Sequence, residues 1–263
     1  ELDVKLGGII EIYEKFTGDD PRKIPMKIFP AVHYSMGGLW VDYNQMTNIP
    51  GLFACGEVDY QYHGANRLGA NSLLSAIFGG MVTGPKAVEY IKGLKKSAED
   101  VSESVFAREG KKQSDKYESI LKMDGTENSY VLAKELGEWM TNNMTVVRYN
   151  DKLEQTIHKI KELKQRYAKI NINDTAKWNN AGVAFTRQLW NMLELAEAMT
   201  KGALLRNESR GAHYKPEFPE RNDEEFLKTT KATWTKEGPE ISYEEVDVSL
   251  IKPRKRDYTT NKH

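Results

Sequence analysis

The apolar positions of this chain follow two regimes. From about residue 95 to residue 207 they recur every three or four residues, the period of helices that turn one face inward. That spacing predicts helices over residues 103–122, 127–144, 150–170 and 178–207. The stripe expected inside is Tyr130, Ala133, Leu136 and Met140 in the second of these. In the third it is Leu153, Ile157, Ile160, Leu163, Tyr167 and Ile170, and in the fourth Phe185, Leu189, Met192, Leu195 and Met199. Four such helices in succession make an antiparallel bundle. Its methionines are read as core filler and its charged faces as solvated surface.

Before residue 95 the pattern is shorter. Residues 4–17 are amphipathic, with Leu6, Ile9, Ile10, Tyr13 and Phe16 on one face, Gly18 as the stop and Asp19-Asp20-Pro21 as a turn. Residues 24–32 hold too much proline for a helix and are expected to be extended. Leu39 to Asp42 alternates like a short strand, and Leu52 to Cys55 fits a buried one that breaks at Gly56. Asn71 and Ser72, both good N-cap types, open a helical run through Leu73, Leu74, Ile77, Phe78, Met81 and Val82. It reaches Gly84-Pro85, where a bend or restart is expected, and ends near Gly93. Beyond Asn207 come a polar loop with two prolines, extended pieces at 229–235 and 241–248, and a basic tail.

Composition narrows the classes. At 263 residues the chain holds about one or two domains, and its 38 acidic and 38 basic residues give no charge bias toward nucleic acid or anionic lipid. No apolar run approaches the roughly 18 residues that span a bilayer, and no signal peptide is visible. The single cysteine, Cys55, excludes an internal disulfide framework and reads as a small buried hydrophobe. His33, His63, His158, His213 and His263 show no metal-ligand spacing. The chain opens at Glu1 inside an expected helix, which suggests a fragment.

The chemistry concentrates at residues 51–75. A strand end delivers Glu57, a polar loop carries Arg67 between Gly64 and Gly69, and a helix then begins with its positive dipole end facing outward. Together these describe a site for an anionic or electron-rich ligand. Taken singly, Arg67 reads as a surface or ion-paired residue, His33 as a hydrogen-bonded structural histidine and Glu57 as an acceptor for loop amides.

The segment H-G-A-N-R-L-G-A-N-S-L-L at 63–74 changes that balance, together with L-F-A-C-G-E at 52–57 and H-Y-S-M-G-G-L at 33–39. These motifs, in this order, resemble the flavoprotein subunits of succinate dehydrogenase and fumarate reductase, with L-aspartate oxidase a close cousin. The connection W-V-D-Y-N-Q-M-T-N-I-P-G at 40–51 is most similar to succinate dehydrogenases of Gram-positive type, and E-S-R-G-A-H at 208–213 extends the likeness. It covers the whole chain but only the C-terminal part of that subunit.

The resemblance implies α/β plus all-α architecture: the C-terminal segment of a Rossmann-like FAD-binding domain, a helical-bundle domain and a short extended tail. Residues 1–24 would end a mobile capping domain, 25–94 belong to the FAD domain, 95–228 to the helical domain and 229–263 to the tail. It implies that His33 and Arg67 hold a substrate carboxylate, a role suited to a guanidinium that grips with two parallel N–H···O bonds. Glu57 would bond sugar hydroxyls of FAD, and Ser72 and Leu73 would meet the flavin at the helix start. Lys215 stands where the family commonly has Arg, and Glu217 where it has Asp; both keep the charge. Arg210 and His213 receive a structural reading.

No G-x-G-x-x-G fingerprint is present, so FAD would be shared with a missing N-terminal part that also carries the catalytic residues. The implied activity is oxidation of succinate to fumarate, with electrons leaving through an iron–sulfur subunit to quinone. A membrane-anchor subunit would hold the complex at the cytoplasmic face of the cell membrane. The alternatives are fumarate reductase, L-aspartate oxidase, and a non-catalytic helical interaction module on a relic flavin fold.

Overall fold

The computed structural model describes residues 2–28 and 32–254, in two compact units, Glu1–Ser35 and Met36–His263. Residues 29–31 of the expected extended segment and 255–263 of the basic tail lie outside the described residues.

The first unit is built on α1, Leu2–Thr17. Gly18 ends it at φ 76°, its N–H reaching back to the Glu14 carbonyl at 2.9 Å. The Asp20 carbonyl then accepts from Lys23 and Ile24 at 2.9 and 3.0 Å, closing the expected turn. Arg22, bonded to the Asp20 carboxylate at 2.7 Å, holds that carboxyl down to about 2. The apolar stripe of α1 is not buried, Ile9 being 57% and Phe16 87% exposed, because one helix offers no second layer to cover it.

In the second unit α2 spans Asn71–Gly93 without a break, Pro85 included. Four further long helices follow, α3 (Glu103–Leu121), α4 (Ser129–Met144), α5 (Asn150–Tyr167) and α6 (Ala181–Leu205). A single turn, α7 (Asp223–Phe226), leads to the antiparallel hairpin β1 (Lys228–Thr233) and β2 (Glu240–Glu245), which lies against α6. The starts of α4 and α6 are set by Asn128 and Asn180, whose side-chain oxygens accept from Tyr130 and Val183 at 2.9 and 3.0 Å. The expected helix over 150–170 stops at Tyr167, and Ile170 then pairs with Glu127 outside any helix while staying fully buried.

The bundle core is Leu132, Leu136, Ile160, Leu163, Val183, Leu189 and Leu193, from α4, α5 and α6 packing on one another, with Ile170 just beyond α5 closing it. One expected stripe holds in large part and one is displaced. In α4 Leu136 is buried and Ala133 and Met140 pack partly buried against the core, as expected; Leu132 joins them, whereas Tyr130 is 56% exposed and stacks on Phe185 at 4.2 Å. In α6 the buried face runs Val183, Thr186, Leu189, Leu193, Ala196, Thr200, Ala203, which leaves Leu195 64% and Met199 55% exposed. The reason is chemical. Small residues and threonines let α6 approach its neighbours closely, and Thr200 satisfies its hydroxyl on the Ala196 carbonyl at 2.7 Å, so burial does not follow side-chain hydrophobicity. Met192 and Met199 are therefore not core filler; Met144 is, and Met140 packs partly buried against the core. Across the bundle Arg166 forks onto Glu135 at 2.8 and 3.0 Å and onto Glu127 at 2.7 and 3.0 Å.

Neither short strand forms as expected. Residues 39–42 and 52–55 contribute only isolated pairings, Leu39 with Asp59 and Met46 with Phe53. The loop is instead held by side chains: Gln61 Nε2 donates to the Val41 and Asp42 carbonyls at 2.9 and 2.8 Å, and Asp42 Oδ1 accepts from Asn44 and Met46. Among the described residues no helix is long and apolar enough to cross a membrane.

Candidate functional site

Four of the residues singled out in the sequence, Glu57, Arg67, Ser72 and Leu73, gather around the first turns of α2. A 3-10 turn at Gly56–Val58 carries Glu57, exposed, and packs on that helix. Two glycines permit the approach. Gly56 takes φ 82°, and a Cβ on Gly79 would lie 2.5 Å from the Tyr62 hydroxyl and 2.9 Å from Cys55 Cβ. Nearby Asp59 is buried, which raises its carboxyl above the ordinary value even though Gln61 N–H donates to it at 2.9 Å.

The Arg67 loop leaves and rejoins the same helix end. His63 Nε2 pairs with the buried Ser75 hydroxyl at 3.1 Å, and that hydroxyl donates to the Ser72 carbonyl at 2.9 Å. Asn66 N–H returns to the His63 carbonyl and Asn71 N–H to the Leu68 carbonyl, each at 3.3 Å. Arg67 is half-buried, its Nη1 donating to Leu68 O at 3.4 Å. The N-cap of α2 is Ala70, at φ 64°, and neither Asn71 nor Ser72 takes that place; both are already helical. Because alanine has no side-chain acceptor, the first-turn amides have no side-chain cap. Leu73 is 76% exposed.

Glu57, Arg67, Ser72 and Leu73 thus sit on elements packed at one end of α2, while His33 lies on the other unit, exposed and outside any helix or strand. This donor set suits a flavin. Uncapped amides with a positive helix end match its carbonyl edge, and an exposed carboxylate matches sugar hydroxyls.

A second polar cluster went unrecognised in the sequence. Glu208, its side chain wholly buried, accepts from Arg206 Nη1 at 2.6 Å, Arg210 Nε at 2.8 Å and Asn222 N–H at 2.9 Å. Arg210 also reaches Asp223 at 2.7 Å. Lys215 is fully buried with its ammonium hydrogen-bonded to the neutral oxygens of Asn150, Leu204 and Asn207, and burial pulls it down to about 8. The sequence signal was the alternation of opposite charges over 206–210, at the start of what read as a polar loop.

His213 donates from Nε2 to the Arg206 carbonyl at 2.9 Å, which leaves Nδ1 as the acceptor facing Arg148. Burial first, then the neighbouring Arg148, Lys215 and Arg206, lowers it to about 4. Between pH 4 and 6.5 the unfolded chain therefore binds a proton that the folded chain refuses, so stability rises with pH across that window. His213→Gln is expected to flatten this part of the melting-temperature profile while leaving the slope above pH 7 unchanged. An unaltered acid limb would mean that the imidazole titrates normally.

Comparisons with known proteins agree with this geometry. Residues 1–73 match the family model described as FAD binding domain, and residues 133–258 match that described as fumarate reductase flavoprotein C-term. The chain is 70% identical to the succinate dehydrogenase flavoprotein subunit of Bacillus subtilis over its whole length, covering 45% of that protein. It is 35% identical to the fumarate reductase flavoprotein subunit of Haemophilus influenzae over 98% of its length and 43% of the relative's. In structure it superposes on an Escherichia coli quinol fumarate reductase with a TM-score of 0.89 at 33% identity, covering 97% of this chain and 43% of that one. The chain thus spans less than half the length of the relatives it matches, and across that span it belongs to the succinate dehydrogenase and fumarate reductase flavoprotein family, whose cofactor is FAD.

Proposed function

We propose that, within a protein of the relatives' full length, this chain forms part of the succinate-oxidising site of a succinate dehydrogenase. The observation that carries this is the convergence of Arg67, Glu57 and the uncapped start of α2 on one rigid scaffold. The direction follows the 70% identity to a succinate dehydrogenase subunit, against 35% to a fumarate reductase. Bound FAD supplies the two-electron chemistry. The chain's own residues orient and hold. Arg67 grips a carboxylate of the dicarboxylate substrate, and His33 is a donor to the same substrate. Glu57 accepts from sugar hydroxyls of the cofactor. The amides of Ser72 and Leu73, at the uncapped start of α2, would hold the flavin and would favour negative charge on it. No residue of this chain is assigned the proton transfer. Electrons leave through an iron–sulfur subunit toward quinone, with the assembly held at the cytoplasmic face of the membrane by an anchor subunit.

Two substitutions in the full-length flavoprotein separate cofactor from substrate contacts. Glu57→Ala removes charge-assisted hydrogen bonds worth roughly 1.5–3 kcal/mol, so flavin content should fall. His33→Ala should keep its flavin and lose succinate turnover with a dye acceptor. Equal flavin loss in both would show the site to be wrongly divided, and full activity in His33→Ala would remove that residue from the substrate.

A further inference from the structure

We propose that the 208–213 loop of the helical domain is a positioning element for Arg67. This rests on the reading of Arg67 as the carboxylate clamp. The tip of that loop meets the arginine loop backbone to backbone. Ala212 N–H donates to the Ala65 carbonyl at 2.9 Å, two residues before Arg67. Gly211 lies beside it at φ 58°, so close that a Cβ there would stand 2.5 Å from Ala65 O and 2.8 Å from Ala65 Cβ. Only a residue without a side chain fits this contact.

The tip is held from behind. Arg210 N–H donates to the His213 carbonyl at 2.7 Å and His213 N–H to the Arg210 carbonyl at 3.0 Å, closing a tight hairpin. The Arg210 guanidinium is locked on buried Glu208 and on Asp223, and the His213 ring on the Arg206 carbonyl. Every one of these anchors belongs to the segment after α6. The Ala65 carbonyl therefore rests on a fixed donor rather than on water. A planar guanidinium grips two carboxylate oxygens only when its base is held to a fraction of an ångström, and a brace two residues away supplies that constraint. The charge network at Glu208 thus sets the angle of a binding residue it never touches.

The test is malonate titration of the flavin spectrum in full-length flavoprotein carrying Gly211→Ala or Gly211→Asn, with succinate KM and kcat measured alongside. Both variants add the Cβ, but asparagine tolerates the left-handed backbone better, so they share displacement of Ala65 and differ in strain. Both should weaken malonate about tenfold or more and raise KM, while the flavin-to-protein ratio stays that of the wild type. Wild-type malonate affinity in both variants overturns the proposal, as does a loss confined to Gly211→Ala that tracks loss of flavin. Should neither variant yield folded protein, Ala65→Gly loosens the same junction. Weaker malonate binding there supports the brace, and unchanged binding overturns it. Arg67→Lys, run in parallel, separates the two readings. If it too binds malonate normally, the clamp assignment fails; if it alone is impaired, only the brace fails.

Discussion

Arg67→Lys in the full-length flavoprotein is expected to keep its flavin and its fold while succinate turnover falls on the order of 100-fold. Lysine preserves the charge that attracts a dicarboxylate but presents a point ammonium in place of a planar fork. The substrate is still drawn in, yet it is poorly aimed at the cofactor. The loop itself should tolerate the change. Its return to α2 runs through His63, Ser75 and the Asn66 and Asn71 amides, and where Arg67 Nη1 shares the Leu68 carbonyl with the Asn71 amide, a lysine ammonium is also a donor. Malonate inhibition should weaken in parallel. Steady-state kinetics with a dye acceptor, together with flavin content, measure both. A variant that oxidises succinate like the wild type would make Arg67 a loop residue and move the carboxylate site elsewhere.

The largest effect on stability is expected at Glu208. Its side chain has no exposure, and those of Arg206 and Arg210 only 11% and 17%. Burial alone would raise this carboxyl, but the bonds from Arg210, the Asn222 amide and Arg206 outweigh it and hold it below the ordinary value. Glu208→Ala leaves two guanidiniums with their shared anion gone, which costs about 3–5 kcal/mol and lowers the melting temperature by roughly 10 °C. Glu208→Gln keeps the shape and the Asn222 contact and should lose less. Calorimetry of the flavoprotein decides this. A Glu208→Ala protein that melts with the wild type would show that water already screens the cluster.

What could be read in the residues, and what could not, follows from how burial is achieved. The helices over 103–121, 150–167 and 181–205 announce themselves because their period repeats for many turns. Which face goes inward was legible only where large aliphatics mark it, as on α5. On α6 threonines and alanines occupy the core, and hydrophobicity pointed to Leu195 and Met199, which lie on the surface. The strands at 39–42 and 52–55 were overcalled. An apolar run shows a tendency to be buried, not a partner, and here Gln61 and Asp42 do the work of a ladder. Motif spacing brought Glu57, Arg67, Ser72 and Leu73 to one helix end, since a loop of that length can only return to its own helix. The contact of Ala65 with Gly211 and Ala212 joins positions far apart in the chain, and no local pattern records it.

The central claim is that this chain helps to hold a dicarboxylate against a reducible flavin. Anaerobic mixing of the oxidised full-length flavoprotein with succinate, followed at the flavin absorbance band, tests it in a single turnover. Bleaching by succinate, its reversal by fumarate and its block by malonate are the expected results. A flavin that stays oxidised in the presence of saturating succinate would contradict the account.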